Sequence, residues 1–458
     1  MSLSTRSTRT KDMLHTLRSK LEIPSFQAYL DVLWVHFSHI VSFLPPKIQS
    51  LLFYLLSNAF LAFMFALPIY GIWAFESYHL DMPYFLGTIL GALSFYIYLR
   101  IPKTRRFGFG FFVGIWWFWW VGLSFRFIDL SFLVPIIALA IALVYGVIFW
   151  ILLFCECLPV RLIGLLIMPF ITPFGFDWLV PQALLSYSYF GVDSLHICFL
   201  ILALYALILA HTKKMLPILA LSGMLAIAAL DFQTFSAKAL PTFAKDIELS
   251  ATQVPQNLKW DTQNISNAIA YNFALIQNAI AEKKSLIILP ETAFPFPLQD
   301  STYIFEALKQ YSLEIAIITG SIHIQGDKTY NSTFVFNNGS YQRIDKKILA
   351  PFGEYIPLPQ FIKNHFAFIA NMEFSHGTDF GYIDIFGEKI KNAICYEATS
   401  RSLYADYPEF VIATSNNAWF APSIQPSLQK MLLKYYARLY QSTIFHSANM
   451  SKSAIITP

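Results

Sequence analysis

Long apolar stretches in the first half of the chain constrain its fold more than any other feature. A helix needs about 20 apolar residues to span the hydrocarbon core of a bilayer. The apolar stretches occupy residues 51–75, 83–99, 107–125, 131–154, 160–174, 194–211 and 215–230. Only 13% of the residues are charged, against roughly 25% in a soluble domain. The sequence therefore predicts a polytopic α-helical membrane domain with about seven helices.

Charges in the loops between these stretches predict which side of the membrane each loop faces. Basic clusters that begin at Arg100 and Lys213 follow the second and sixth stretches, whereas Asp129 and Asp177 lie in loops on the other side. Short cytoplasmic loops are enriched in Lys and Arg. With the basic N-terminus inside, an odd number of spans leaves everything after residue 231 outside the cytoplasm. Arg126 is the one strong exception to this charge pattern.

Three parts are predicted along the chain. Residues 1–48 form a basic N-terminal arm and an interfacial segment, residues 49–231 the transmembrane domain, and residues 245–458 an extracytoplasmic domain. No short apolar region with a small-residue cleavage site follows the basic arm, so no cleaved signal peptide is predicted. The net charge of +4 is small, and no basic block interleaved with aromatic residues suggests a nucleic-acid site.

Short apolar runs alternate with helical patterns from residue 245 onward. The patterns predict strands at 247–253, 286–289, 315–319, 333–336, 341–344, 391–394, 410–415 and 453–456, and helices at 261–283, 306–311 and 429–440. Alternation of strands and helices with mixed strand pairing is typical of an α/β sandwich. About 210 residues are enough for such a domain to have its own core.

Reactive side chains follow three of the predicted strands, where an α/β fold places its functional groups. Glu291 ends the run at 286–289, Lys346 and Lys347 follow 341–344, and Cys395 follows 391–394. A carboxylate can accept the thiol proton, and an ammonium can favour the thiolate and stabilise an oxyanion. Taken singly, each residue also has a structural explanation: a small core cysteine, a Pro-Glu turn and solvated lysines. Their combination favours a nucleophile site.

The same residues carry a resemblance to a known family. The motifs Leu289-Pro290-Glu291, Lys346-x-x-Leu349-x-Pro351-Phe352-Gly353-Glu354 and Cys395-Tyr396-Glu397 resemble the Glu–Lys–Cys triad of the nitrilase superfamily, whose carbon-nitrogen hydrolase domain is an αββα sandwich. The membrane half, with Pro351–Pro357, Val254–Asp261 and Asn417–Phe420, resembles the apolipoprotein N-acyltransferase family.

The resemblance implies a role for each matching residue. Cys395 would be the nucleophile, Glu291 the general base and Lys346 the oxyanion partner. Lys346 is preferred over Lys347 because the family's lysine stands three residues before the leucine of the Pro-Phe-Gly-Glu loop. Glu354 would orient Lys346.

The residues after the nucleophile and three aromatic residues receive supporting roles. Tyr396 and Glu397 would shape the cysteine pocket, and Trp419 is assigned to substrate binding. The apolar segment 355–374 is expected to lean on the bilayer and admit acyl chains, with Phe366 and Phe368 in contact with lipid. The alternative is that this segment is buried on the domain.

The family's reaction defines the expected partners. An acyl chain would pass from a phospholipid, typically phosphatidylethanolamine, to Cys395 as a thioester, and then to the α-amino group of an apolipoprotein's N-terminal diacylglyceryl-cysteine. No metal or organic cofactor is implied. The protein would act as a monomer in the bacterial inner membrane, multi-pass, with its catalytic domain on the periplasmic side.

Two other functions compete with this one. A membrane-anchored nitrilase-like amidase would use the same triad but pass the acyl group to water. A transporter or receptor would carry paired charges within its spans, and these are nearly absent here. The sequence departs from the family pattern at Ile344-Asp345-Lys346 and Asn416-Asn417-Ala418-Trp419, and it ends at Pro458, before the expected closing segment and final span.

Overall fold

The computed structural model describes residues 44–235, 239–357 and 373–458. Within these residues, one helix lies at each of the seven apolar stretches: α1 (Pro46–Ser77), α2 (Tyr84–Arg100), α3 (Arg106–Phe118), α4 (Leu133–Leu152), α5 (Leu158–Ile167), α6 (Ser194–Lys213) and α7 (Leu216–Ala228). Four helical stretches are long and apolar enough to cross a membrane, and three are shorter. The predicted polytopic helical domain is confirmed. Most of the predicted arm and interfacial segment, residues 1–43, lies outside the described residues.

Helices α3 and α4 pack closely because α3 carries glycine at the contact. A Cβ atom on Gly110 would lie 2.4 Å from Cβ of Phe149, and one on Gly114 would lie 2.9 Å from the Cα of Ala142. Small residues allow helix backbones to approach in a membrane, where van der Waals packing drives association. Beyond α3 the chain continues as a 3₁₀ segment, Trp119–Ile128.

The described residues of the second half of the chain form two six-stranded sheets. Its strands are β1 (Ile247–Leu249), β2 (Ala251–Thr252), β3 (Leu286–Ile288), β4 (Phe294–Pro297), β5 (Ala316–Gln325), β6 (Lys328–Asn337), β7 (Ser340–Asp345), β8 (Tyr382–Ile385), β9 (Glu388–Ile394), β10 (Phe410–Asn416), β11 (Thr443–Asn449) and β12 (Ala454–Ile456). The first sheet has the order β1-β3-β5-β6-β7, with β4 against β5. The second has the order β12-β11-β10-β9-β8, with β2 against β11.

The two sheets pack face to face between helical layers. Ile288 and Ile318 of the first sheet share a hydrophobic core with Ile390 and Ile412 of the second. Helices α8 (Gln256–Lys259), α9 (Thr262–Ala281), α10 (Thr302–Tyr311) and α11 (Gln425–Tyr440) complete the domain. α9 and α10 cover the outer face of the first sheet, and α11 covers that of the second. The predicted αββα sandwich is therefore confirmed.

Helix α11 also packs against the membrane helices in one continuous hydrophobic cluster. The guanidinium of Arg438 donates to the carbonyls of Ser188 and Phe190, at 3.0 and 2.8 Å. The ammonium of Lys430 lies 2.9 Å from Glu76, at the end of α1. These contacts hold the second sheet against the membrane domain and so place the carboxyl ends of its strands near the ends of the spans.

Two details of the predicted strands were wrong. The run 247–253 is not one strand, because β1 joins the first sheet and β2 joins the second. The chain crosses between the sheets at Ser250, whose hydroxyl donates to the carbonyl of Ile288 at 3.0 Å. In addition, β4, β8 and β11 were not predicted. The first two are short, and β11 is rich in polar residues that the fold buries.

Candidate active site

Strands from both sheets end at the candidate site. β3 ends just before Leu289-Pro290-Glu291, β7 ends at Asp345 just before Lys346, and β9 ends at Ile394 just before Cys395. β3 and β7 belong to the first sheet and β9 to the second. The sandwich therefore brings a carboxylate and a lysine from one sheet toward a thiol from the other.

Lys346 and two carboxylates form a buried charged cluster. Nζ of Lys346 lies 2.6 Å from Oε2 of Glu354 and 3.6 Å from Oε1 of Glu291. All three residues are at least nine-tenths buried. Burial by itself lowers the pKa of Lys346, but the charges of Glu354 and Glu291 outweigh it and raise that pKa. Lys346 is therefore protonated at neutral pH.

The carboxylates of Glu291 and Glu354 are held by hydrogen bonds. Their donors are residues that the sequence did not identify. The side-chain amide of Asn331 donates to Glu291 and to Glu354, at 2.7 Å each. The backbone N–H of Asn416 donates to Oε2 of Glu291 at 2.7 Å and so links the two sheets. Nζ of Lys259 donates to the carbonyl of Glu291 at 2.9 Å, and burial lowers the pKa of Lys259 to about 7. An asparagine inside a strand is unusual, but the strand predicted at 333–336 did not reach Asn331, so the sequence did not single it out.

Cys395 sits at a bend between β9 and a 3₁₀ turn. Its φ of 52° lies in the left-handed region, which is uncommon for a residue other than glycine. The residue is partly exposed. Desolvation by the surrounding protein and then the charge of Glu291 raise the pKa of the thiol to about 12, although the charge of Lys346 opposes them. Cys395 therefore rests as a thiol at neutral pH and needs a base to react.

Cys395 contacts a chain of hydrogen-bonded polar side chains that come from α11 and the second sheet. Nε2 of Gln429, on α11, lies 3.8 Å from the Cys395 sulfur and 3.3 Å from Oγ of Ser415. The same hydroxyl lies 2.9 Å from Nε2 of His446. Gln429, Ser415 and His446 are all buried. Their hydrogen bonds to one another restrain the polar side chains that lie next to the Cys395 sulfur on the side of α11.

Burial of His446 predicts a specific pH dependence of stability. Burial, and then the charge of Lys430, lower the pKa of His446 from 6.5 to about 4. The unfolded chain binds a proton at about pH 6.5 and the folded chain does not, so stability falls as the pH drops from about 6.5 to 4. We expect this histidine to cost up to about 3 kcal/mol of unfolding free energy across that range, at about 1.4 kcal/mol per pKa unit.

Denaturant unfolding of the purified protein and of His446→Gln, at pH 7.5 and pH 4.5, measures this effect. Gln can still hydrogen-bond Ser415 but does not titrate, so the variant should lose less stability than the wild type on acidification. Equal losses in the two proteins would contradict the prediction.

Glu397 joins the lysine loop to the cysteine strand. Its carboxylate accepts backbone N–H groups of Lys347 at 2.6 Å, Ile348 at 3.0 Å and Ile394 at 2.8 Å. Burial raises the pKa of Glu397 to about 7, against the charge of Lys346 and these hydrogen bonds. The arrangement fixes the position of the loop after β7 relative to Cys395.

Tyr396 connects the site to a loop of the membrane half. Its ring lies against those of Phe176 and Trp178, at centroid distances of 6.0 and 5.9 Å. Its hydroxyl donates to Oδ1 of Asp177 at 2.5 Å. The residue next to Cys395 is thus held by the loop between α5 and α6, a contact that the sequence did not predict.

A cavity of about 590 Å³ opens beside the charged cluster of Lys346, Glu291 and Glu354. Glu354 and Trp419 lie in its wall, together with Phe352 and Trp260. The predicted lipid contacts Phe366 and Phe368 lie outside the described residues, as does most of the segment 355–374. Among the described residues, no group of three or more His, Cys, Asp or Glu side chains is arranged to hold a metal ion.

Comparison with known proteins matches both halves of the chain. Residues 52–229 match the family described as "Apolipoprotein N-acyltransferase integral membrane domain", and residues 249–441 match "Carbon-nitrogen hydrolase". A Helicobacter hepaticus protein named apolipoprotein N-acyltransferase is 45% identical over 402 residues, covering 86% of this chain and 98% of its own length. Proteins of the same name from Wolinella succinogenes and Helicobacter pylori are 42% and 41% identical, covering 81% and 88% of this chain and 90% and 95% of their own lengths.

Proposed function

This chain belongs to the apolipoprotein N-acyltransferase family, and from that premise we propose that Cys395, Glu291 and Lys346 are its catalytic triad. The protein is a membrane acyltransferase of lipoprotein N-acylation. The observation that supports the triad is the position of Lys346, which is buried between Glu291 and Glu354.

The first half-reaction loads the enzyme. Glu291 accepts the proton of Cys395 as the sulfur attacks an ester carbonyl of the phospholipid, because the resting thiol is protonated. The ammonium of Lys346 stabilises the oxyanion of the tetrahedral intermediate. The intermediate collapses by breaking the ester C–O bond, and Glu291 returns the proton to the departing lysophospholipid oxygen. The product is an acyl thioester on Cys395.

The second half-reaction transfers the acyl group to nitrogen. The α-amino group of the acceptor's diacylglyceryl-cysteine attacks the thioester carbonyl, a C–N bond forms and the C–S bond breaks. Glu291 takes a proton from the amine and returns one to the Cys395 sulfur. Water is the competing nucleophile, so the site must exclude it while the thioester persists. The aromatic wall of the cavity beside Glu354 serves this exclusion.

Supporting roles follow from the contacts around the triad. Glu354 orients Lys346 through the 2.6 Å ion pair. Glu397 fixes the lysine loop through three backbone hydrogen bonds, and Tyr396 fixes the cysteine turn through Asp177. Trp419 contacts the acyl chain in the cavity. Lipid contact by Phe366 and Phe368 remains a prediction from sequence.

Location and partners complete the proposal. We place the enzyme in the bacterial inner membrane with residues 245–458 on the periplasmic side, since the loop charges favour that orientation. The donor is phosphatidylethanolamine and the acceptor is a diacylated apolipoprotein. A monomer suffices, because one chain supplies every proposed site residue.

Intact-protein mass spectrometry tests the proposed function. Purified protein in detergent is incubated with phosphatidylethanolamine alone and then with a diacylated lipopeptide. We expect one added acyl chain on Cys395, stable until the lipopeptide arrives and sensitive to hydroxylamine, followed by a triacylated lipopeptide. Release of free fatty acid at the same rate with and without the lipopeptide would instead support the amidase-like hydrolase.

A further inference from the structure

Arg126 lies in the wall of the cavity beside the proposed triad. It stands near the end of the candidate membrane span Arg106–Phe127, at the level where a span leaves the hydrocarbon region. The same cavity is lined by Glu354, the partner of Lys346. A ligand in the cavity therefore reaches from Arg126 toward the proposed catalytic cluster.

The guanidinium of Arg126 is held in place with donors to spare. Its Nε donates to the carbonyl of Leu123 at 3.0 Å and its Nη2 to the carbonyl of Ala421 at 2.9 Å. The group also lies 5.4 Å from the ring centroid of Phe127. Neither backbone carbonyl neutralises its charge, and no hydrogen bond from Nη1 to a described residue is present. Arginine with a free edge is suited to binding a phosphate.

Arg126 is the charged residue in the cavity wall that is suited to bind an anion. Among the lining residues that the structure describes, Arg126 is the one cation, and the carboxylates are Glu354 and Glu373. Glu354 is paired with Lys346 at 2.6 Å, and Glu373 accepts the backbone N–H of Ile356 at 3.1 Å. The remaining wall is largely aromatic, which suits acyl chains and glycerol rather than a free ion.

We propose that Arg126 binds the phosphate of the phospholipid acyl donor and so orients the donor toward the proposed catalytic cluster at Glu354 and Lys346. This inference rests on the proposed function and adds a specificity residue to it. The proposal also explains why Arg126 is an exception among the loop charges. It is a basic residue on the side where the other loop charges are acidic, and there it would bind a lipid headgroup. Phosphate groups lie at the interface where this span ends.

The half-reactions of Arg126→Gln, Arg126→Lys and the matched control Arg100→Gln test the proposal. Arg100 is an exposed arginine at the end of a different membrane helix. Thioester formation on Cys395 is followed by intact mass with phosphatidylethanolamine and with p-nitrophenyl palmitate, an ester without phosphate. We expect Arg126→Gln to load about 10- to 100-fold more slowly from the phospholipid, as loss of a charge-assisted hydrogen bond predicts. Loading from the nitrophenyl ester should change less than about twofold, and Arg126→Lys should be intermediate.

Four outcomes would overturn the proposal. Equal slowing with both donors would mean that Arg126 supports only the fold. Slowing confined to lipopeptide acylation by preformed thioester would place Arg126 at the acceptor. Inorganic phosphate that slows nitrophenyl-ester loading of the wild type, but not of Arg126→Gln, would indicate a free-phosphate site. If the wild type forms no Cys395 thioester with phosphatidylethanolamine or with p-nitrophenyl palmitate, the proposed function itself is contradicted.

Discussion

Cys395→Ala is expected to abolish lipopeptide acylation, lowering the rate by at least about 10⁴-fold, as for removal of a catalytic nucleophile elsewhere. No other group can take its place, because Cys395 is the one cysteine after residue 198. The neighbouring hydroxyl of Ser415 is held by Gln429 at 3.3 Å and by His446 at 2.9 Å. The measurement is conversion of a diacylated lipopeptide to the triacylated form, followed by mass spectrometry over hours.

The same variant should keep its fold. Cys395 is partly exposed and its side chain is small, so its truncation should cost about 1 kcal/mol or less. Denaturant unfolding should therefore overlay that of the wild type, and the variant should still bind donor lipid. Acylation above about 1% of the wild-type rate, in a folded variant, would contradict a mechanism through the Cys395 thioester.

The membrane domain and much of the second half could be predicted because their patterns are local. Each apolar stretch became a helix, since a chain in lipid must satisfy its backbone groups within one segment. The hairpin of β6 and β7 turns at Asn338-Gly339, a dipeptide that is typical of tight hairpin turns. The family resemblance, drawn from a few motifs, is confirmed by identity along most of the chain.

Strand β11 could not be predicted, because its residues gain their partners only in the folded protein. Every residue of Thr443–Asn449 is buried, yet His446, Ser447 and Asn449 are polar. Ser447 donates to the carbonyl of Ser250, and Asn449 to the carbonyl of Val254, each at 2.8 Å. These partners lie about 195 residues earlier in the sequence. A local pattern carries no information about such distant pairs.

The residues of the candidate site also fall into two groups: those that a local pattern could identify and those that it could not. Glu291, Lys346 and Cys395 could be selected because each follows an apolar run and matches a motif. Asn331 and Asp177 could not, because a single amide within a strand and a single acid in a loop have no spacing signature. Their importance arises from the fold, which places Asn331 between two carboxylates and Asp177 against Tyr396.

Lys346→Met is expected to impair both activity and stability. Loss of an oxyanion partner should lower the acylation rate by about 10²- to 10³-fold. The substitution also removes the cation that is paired with the buried carboxylates of Glu291 and Glu354, although both still accept from Asn331. Removing one partner of a buried ion pair costs about 3–5 kcal/mol. Thioester formation and denaturant unfolding should both be measured, because the two effects have separate readouts.

Lys347→Met is the matched control, since it changes the same side chain one position along the loop. Lys347 is only partly buried, and its 3.5 Å pair with Asp379 is open to solvent on the Asp379 side. Such surface pairs contribute about 0–1 kcal/mol. Its backbone N–H, which donates to Glu397, is unchanged by the substitution. Acylation and unfolding should therefore match the wild type. A larger loss in Lys347→Met than in Lys346→Met would overturn the choice between the two lysines, and normal thioester formation in Lys346→Met would remove lysine from the mechanism.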